Sequence, residues 1–329
     1  MSVGFSIIVP VKAINDYIRE SVPIILRLDY REFEVIILPN DQPTGELPGF
    51  LADPRVRIIA TGRVSPAVKR DLGAEAARHD RLAFLDDDAY PRADWLTAAD
   101  RAFAETGAAA IGGPGVTPPD SPLLERASGL FFETLIGGGG MDYRYRPGRE
   151  RFPVDDFPTV NLIVDRQAFA AVGGFDNEFW PGEDTKFCLD LCAAGFTIWY
   201  APDVVVYHHR RSLLLPHLRQ IGNYGLHRGY FAKRFPATSA RPIYFAPSLF
   251  LLGSVGLLAL GFFHTLFWKL FAAGMVLYVG IALVDIFSRT ASPLVGLATL
   301  AGMYCSHLAY GAMFLRGLLR PTPLHSRLR

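Results

Sequence analysis

Full charge is nearly absent from one long stretch of this chain: between Ile243 and Leu315 only Lys269, Asp285 and Arg289 carry it. A water-facing surface is not built from such a segment, so its poverty in charge points to hydrocarbon. Cysteine is scarce too. Cys188, Cys192 and Cys305 are too few and too unevenly placed for a disulfide framework, and the first two share one helix face, which fits a reducing cytosolic setting. There is no cationic surplus: 33 basic residues stand against 32 acidic ones, so the phosphate-tracking stripe that nucleic acid needs is missing, and no nucleic acid is expected as a partner. The first apolar run, Phe5–Val11, lacks a preceding basic residue and a following small-residue cleavage site, and reads as a core strand rather than a signal sequence.

What is present falls into two parts. Up to about residue 110, short apolar runs (Phe5–Val11, Phe33–Leu38, Val56–Ala60, Leu82–Leu85) alternate with helical patterns (Tyr17–Leu28, Ala67–Ala77), which predicts an α/β unit with a largely parallel sheet. Ligands of such sheets bind at the carboxyl ends of the strands, and polar residues stand there: Lys12, then Asn40 and Asp41, then Asp86 to Asp88. Prolines and an apolar stripe from Leu123 to Leu135 follow, then four glycines (Gly137–Gly140) and a basic loop, Tyr143 to Arg151. That loop reads equally as a grip on an anionic substrate or lipid headgroups and as a solvated surface loop. Three apolar segments, 243–263, 266–287 and 293–315, are each about 21 to 23 residues, enough to cross a hydrocarbon core of about 30 Å. Three crossings from a cytosolic domain would carry Arg316, Arg320, Arg327 and Arg329 to the far side, against the positive-inside tendency, so either one segment is re-entrant or interfacial or the rule is broken.

Two acidic motifs carry the chemistry. Asp86 and Asp88, at i and i+2 after an apolar strand, have the spacing to hold one Mg2+ or Mn2+ while leaving positions for a diphosphate. Downstream, Gly173-Gly174-Phe175-Asp176 and Trp180-Pro181-Gly182-Glu183-Asp184 precede a helical pattern. Asp184 there serves either as a helix cap or as a general base that takes the proton of an attacking hydroxyl.

These motifs, in the order Ile7-Ile8-Val9-Pro10, Asn40-Asp41, Lys69-Arg70-Asp71, Phe84-Leu85-Asp86-Asp87-Asp88, Gly-Gly-Phe-Asp and Gly182-Glu183-Asp184, resemble those of the family 2 glycosyltransferases, over roughly residues 3–230. The resemblance implies a GT-A fold (Rossmann-like, mostly parallel sheet) over residues 1–235, followed by an all-α membrane domain over 236–329. It implies inverting transfer of a sugar from a nucleotide diphosphate sugar by single displacement, with Mg2+ or Mn2+ on the diphosphate. Carried onto this chain, Asp184 is the catalytic base with Glu183 beside it near the acceptor. The donor set is Pro10, Asn40, Asp41, Lys69, Arg70, Asp86 and Asp87, with Asn40 or Asp41 at the nucleobase. The metal set is Asp88, Asp86, His208 and His209.

Three departures qualify it. Pro39-Asn40-Asp41 stands where relatives commonly have two aspartates, Lys69-Arg70-Asp71 replaces Ala-Arg-Asn, and Gln220 is followed by Ile221, Gly222, Asn223 and Tyr224 instead of the Gln-x-x-Arg-Trp of processive synthases. Single-sugar addition is therefore expected. The apolar third adds the expectation of an integral membrane protein, of the bacterial inner-membrane type, with a cytoplasmic catalytic domain and a lipid-linked acceptor such as a polyprenyl phosphate or lipid-linked glycan. The alternatives are a non-processive transferase acting on a soluble or exported polysaccharide, and a catalytically silent membrane recruitment module.

Overall fold

A computed structural model describes residues 3–148, 150–175, 179, 181–321 and 324. Arg149, Asp176, Trp180, Arg327 and Arg329, which figure in the sequence reading, lie outside the described residues. The chain forms two compact units, one taking in the residues up to Val116 and Arg146–His209, the other Thr117–Tyr145 and Arg210–Leu324. The sequence reading places a single division after residue 235. The structure divides the chain earlier and more than once because Leu130, Phe131 and Phe132, with Leu213 and Ile221, join the apolar cluster that holds Ala282, Ile286 and Met303.

In the first unit, β1 (Phe5–Pro10), α1 (Asp16–Ile25), β2 (Phe33–Leu38), β3 (Val56–Ile58), α2 (Pro66–Ala76) and β4 (Arg81–Leu85) follow the alternation read from the sequence. Asn15 accepts from the Ile18 N–H and Ser65 from the Val68 N–H, so each helix starts on a side-chain cap. Next come β5 (Ala89–Pro91), α3 (Trp95–Thr106), β6 (Ala110–Gly112) and β7 (Gly115–Val116). After α4 (Leu123–Glu133) and α5 (Leu135–Gly138) of the second unit, the first resumes with β8 (Phe152–Val154), β9 (Asn161–Asp165), α6 (Arg166–Ala171), α7 (Glu183–Ala193), β10 (Ile198–Tyr200) and β11 (Val206–His208).

The central, mostly parallel sheet runs β3-β2-β1-β4-β9-β6-β10-β8, with β9 antiparallel to both neighbours. Strands β1 and β2 are buried along their whole length, as continuous apolar runs covered on two faces require. Helix α2 lies close on β1: a Cβ on Gly73 would come 2.5 Å from Ile8 Cγ2, so only glycine fits there. A smaller sheet, β5-β11-β7, sets Ala89 opposite His208 and thereby fixes the neighbourhood of Asp88.

The second unit is helical: α4 and α5, then α8 (Leu215–Arg234), α9 (Pro236–Ser239), α10 (Pro242–Gly261), α11 (Thr265–Phe287) and α12 (Pro293–Leu319). Among the described residues two helices, α10 and α11, are long and apolar enough to cross a membrane, and little of either is buried. The third expected segment has different surroundings. Helix α12 covers that segment and buries Thr299, Ser306, His307 and several glycines among its neighbours. Gly225 and Gly229 of α8 meet the backbone at Tyr310 and Phe314, and Gly317 of α12 meets that of Leu226, so the two helices approach to backbone contact. Fully buried His217 bridges Ser128 Oγ at 2.8 Å and Ser306 Oγ at 3.0 Å, and burial pushes its pKa down to about 4, so the bridge is neutral.

One buried polar side chain stitches the first unit together. Asn161 accepts from Trp95 Nε1 at 2.9 Å and donates to the Val204 carbonyl at 2.7 Å. Asn161→Ala leaves both partners unsatisfied, a loss of roughly 2–4 kcal/mol. Thermal unfolding of the variant reads this directly, and a melting midpoint equal to the parent's would refute it.

Candidate active site

Helix α2 brings Lys69, Arg70 and Asp71 to the rim where β1, β2 and β4 end, the place open parallel sheets use for ligands. Lys69 Nζ donates to the Val11 carbonyl (2.5 Å), the Leu38 carbonyl (3.0 Å) and Asn40 Oδ1 (2.7 Å), tying together the ends of β1 and β2. Burial pushes this ammonium down to about 8, against the opposing pull of Asp41 and Asp87. Asn40 therefore turns its amide nitrogen away from the lysine, while Asp41 is exposed and Pro10 is buried opposite Leu38.

Arg70 is buried and lies between two segments that are far apart in sequence. One terminal nitrogen donates to Asp86 Oδ1 and the other to Glu183 Oε1, each at 2.8 Å, and its guanidinium carbon is 5.8 Å from the Phe175 ring centroid. Burial opposes its charge, but Asp86 and Glu183 outweigh that and hold its pKa above the ordinary value. Asp71 accepts from the Phe175 N–H at 2.9 Å and fastens the Gly173-Gly174 turn, where both glycines have positive φ.

The three aspartates after β4 have three different partners. Asp86 is held by Arg70, and Asp87 accepts from Asn15 Nδ2 at 2.6 Å. Asp88 Oδ1 lies 3.2 Å from His208 Nε2, a meeting set by the β5–β11 register and by the His209 N–H bond to the Asp88 carbonyl. The structure does not bring His209's ring to Asp88. Side chains alternate at the strand end, and its Nε2 is 2.8 Å from Glu20 Oε2, among the rings of Tyr17 and Tyr90.

Helix α7 begins after Gly182, whose φ of 115° puts it in the left-handed region. Glu183 is buried, with Oε2 accepting from the Gly182 N–H at 3.0 Å. Asp184, half-buried, accepts from the Thr185 N–H at 2.8 Å and does not occupy the N-cap position. Two adjacent acids thus have separate surroundings. Of the basic loop, Arg151 pairs with Glu105 and with Asp203 Oδ2 at 2.7 Å, which anchors the loop's carboxyl end within the first unit.

Asp88 and His208 can hold a divalent cation: a carboxylate oxygen and an imidazole nitrogen suit Mn2+, and two protein ligands leave most of an octahedron to a diphosphate and water. Among the described residues no cluster of three carboxylate, imidazole or thiol groups offers a closed cage. Asn15, Glu20, Asp71 and Phe175 were not singled out as site residues in the sequence, though Asn15, directly before a helical pattern, carries a cap signal.

Residues 82–314, well over half of the chain, match the glycosyl transferase family group 2. The chain belongs to that family. The pre-mycofactocin glycosyltransferase of Mycobacterium tuberculosis is 29% identical over 176 residues, which are 53% of this chain and 36% of the relative. The succinoglycan biosynthesis protein ExoM of Rhizobium meliloti is 32% identical over 146 residues, 43% of each chain. This chain thus spans less than half the length of these relatives. Among solved structures, the mannosyltransferase PcManGT from Pyrobaculum calidifontis, in complex with GDP-Man and Mn2+, superposes with a TM-score of 0.64 over 97% of this chain and 88% of that one, at 17% identity. The family 2 glycosyltransferase domain therefore has a GT-A-type fold.

Burial and the Asp184 charge raise Glu183 from 4.5 to about 7, against Arg70. A carboxyl whose folded pKa exceeds its unfolded one contributes stability that is complete below the unfolded pKa and lost as pH rises through the folded pKa. The parent should accordingly lose stability as pH rises from about 4.5 toward 7 through this group, and Glu183→Gln should flatten that decline. Melting midpoints across this range decide it; parallel curves for the two proteins would show that Glu183 does not titrate there.

Proposed function

We propose that this protein is a membrane-anchored, inverting glycosyltransferase that moves a single sugar from a nucleotide diphosphate sugar to a lipid-linked acceptor, a polyprenyl phosphate or lipid-linked glycan. The observation that carries this reading is the Arg70 bridge, which joins the aspartate run after β4 to the Glu183-Asp184 segment at the start of α7. The first of these segments is the donor side and the second the acceptor side.

On the donor side, Asn40 and Asp41 meet the nucleobase at the end of β2, and Asp86, steadied by Arg70, meets the ribose or sugar. Arg70 Nε, buried and without a hydrogen-bond partner among the described residues, adds a donor for a ligand oxygen. Asp88 and His208 hold Mn2+ or Mg2+, which when bound neutralises charge on the departing diphosphate. On the acceptor side, Asp184 takes the proton of the acceptor hydroxyl as its oxygen attacks the anomeric carbon opposite the leaving group. One displacement inverts that carbon, and no covalent sugar–enzyme intermediate is required. Glu183 positions the base segment through Arg70.

The exposed apolar faces of α10 and α11 support membrane anchoring, with the catalytic unit on the cytoplasmic side where nucleotide sugars are made. A second reading, transfer onto a soluble or exported polysaccharide, is favoured by the similarity to ExoM of succinoglycan biosynthesis. Incubation with nucleotide sugars, Mn2+ and either lipid extract or soluble glycans separates the two by which fraction gains sugar.

Asp184→Asn should lower turnover by ~10^2–10^4-fold, the range for loss of general-base assistance, and leave nucleotide-diphosphate binding intact. Asp88→Ala and His208→Ala should each abolish the extra thermal stabilisation that Mn2+ adds to a bound nucleoside diphosphate. Undiminished turnover in Asp184→Asn would remove it as the base, and an unchanged Mn2+ effect in both other variants would remove the assigned cation site.

A further inference from the structure

Helices α10 and α11 form an antiparallel hairpin. The Phe250 and Tyr278 rings, tilted to each other, lie 4.8 Å apart between centroids, and toward the turn Trp268 packs on Gly261 and lies 5.5 Å from the Phe262 ring. Phe262 and Phe263, at the tip, are 82% and 86% exposed. At 1.5 Å per residue each arm is about 30 Å long or slightly more, the thickness of a hydrocarbon core.

Helix α12 does not run beside this hairpin as a third arm. Its Gly296 meets Ile286 and Phe287, its His307 Nδ1 is 2.9 Å from the Tyr278 hydroxyl, its Gly311 carbonyl accepts from Ser248 Oγ at 3.1 Å, and its Phe314 ring is 4.8 Å from that of Phe245. Advancing along α12 thus means moving backward along α11 and then backward along α10. Both partners run antiparallel to α12 while also being antiparallel to each other, which three aligned helices cannot satisfy. The contacts on α10 lie within about 12 Å of its start and those on α11 within about 15 Å of its end. Helix α12 therefore lies across the root of the hairpin.

Polar groups collect at the same level. Asp285 accepts from the Ile136 N–H at 3.0 Å and from Arg289 Nε at 3.0 Å, and Arg289 is 3.7 Å from Asp142. Thr299 Oγ1 donates to the Ala127 carbonyl at 3.1 Å. Arg241, Arg289, Arg316 and Arg320 stand at or beyond the root ends of their helices, whereas the tip offers His264 and Lys269, the latter able to reach an interface along its own stem. Trp268 near the tip and Tyr244 near the root occupy the levels that aromatic side chains favour at the two interfaces.

Building on the membrane anchoring proposed above, we infer that α10 and α11 cross the bilayer out and back with the Phe262–His264 turn at the far face, while α12 rests across the root at the cytoplasmic interface. The chain then leaves the membrane on the side where it entered, and Arg316 and Arg320 lie with the positive-inside rule. The partner surface is the bilayer itself: hydrocarbon around the hairpin, anionic headgroups at the root.

The test places single cysteines in the full chain after Cys188, Cys192 and Cys305 are replaced by alanine: Phe263→Cys at the tip, Leu319→Cys at the end of α12, and Asp16→Cys as reporter of the catalytic unit. A membrane-impermeant maleimide is applied to right-side-out and inverted vesicles. Phe263→Cys should be labelled from the outer face, and Leu319→Cys and Asp16→Cys from the cytoplasmic face alone. Leu319→Cys labelled with Phe263→Cys would establish three crossings, and all three positions labelled from one face would mean the hairpin only dips into one leaflet; either overturns the inference. Glycosylation acceptors inserted after Phe263 and after Leu319, read in microsomes, give the same answer without the cysteine-free background. If the protein fails to sediment with membranes at all, it is the anchoring reading that falls.

Discussion

The first unit depends on one buried guanidinium. Placing Arg70 out of water costs several kcal/mol, and only close, well-aimed carboxylates offset it. Asp86 and Glu183 accept its N–H groups from opposite sides, so the loop after β4 and the start of α7 cannot drift apart without leaving buried guanidinium donors unsatisfied. The energetic argument and the proposed function then coincide: the segments assigned above to donor and acceptor are those that the Arg70 hydrogen bonds hold together. The arrangement also divides labour between neighbouring acids. Glu183 is consumed by structure and is raised toward neutrality by burial and by Asp184, while Asp184 keeps a half-buried position.

The rest of the rim follows from α2 lying close enough to the sheet for its side chains to reach. That closeness is allowed by the absence of a Cβ at Gly73 against Ile8. Lys69 then reaches two main-chain carbonyls and Asn40, which converts the ends of β1 and β2 into one rigid edge through an ammonium rather than through apolar packing. The departure from the family's usual alanine at this position thus has a structural effect, since the lysine takes up the Asn40 carbonyl oxygen and turns the amide N–H groups away from itself. Asp71 acts one residue further along, fixing the glycine turn that leads toward α7.

Much of this was legible in the sequence because it is local. The strands of the first third follow from uninterrupted apolar runs ending in polar residues, and the acidic motifs stand out by spacing alone. Pairings across the chain were not legible. Nothing in the sequence assigns His208 to Asp88 and His209 to Glu20; that division follows from the register of two three-residue strands, β5 and β11, and from the alternation of side chains at their ends. Arg70 could be read as a donor-side residue, but its bond to Glu183 spans 113 positions and depends on how α7 docks. The boundary between units was hidden for the same reason: the stripe of α4 announces a buried face without naming what buries it.

The three apolar segments show where composition stops being informative. Glycines occur in all of them, yet a Cβ added at Gly253, Gly256, Gly274 or Gly280 would meet nothing, whereas at Gly296, Gly302, Gly311 or Gly317 it would strike a neighbour. The first set lies on exposed faces of α10 and α11, and the second is where α12 is packed. Length and hydropathy weigh both sets equally. What distinguishes α12 is the company of its glycines: Thr299, Ser306 and His307 recur along the same buried face, and a helix surrounded by lipid would have no partner to offer them. Polar residues spaced to share a face with small ones point to helix–helix contact, and that spacing is the sequence property that separates the packed helix α12 from the exposed helices α10 and α11.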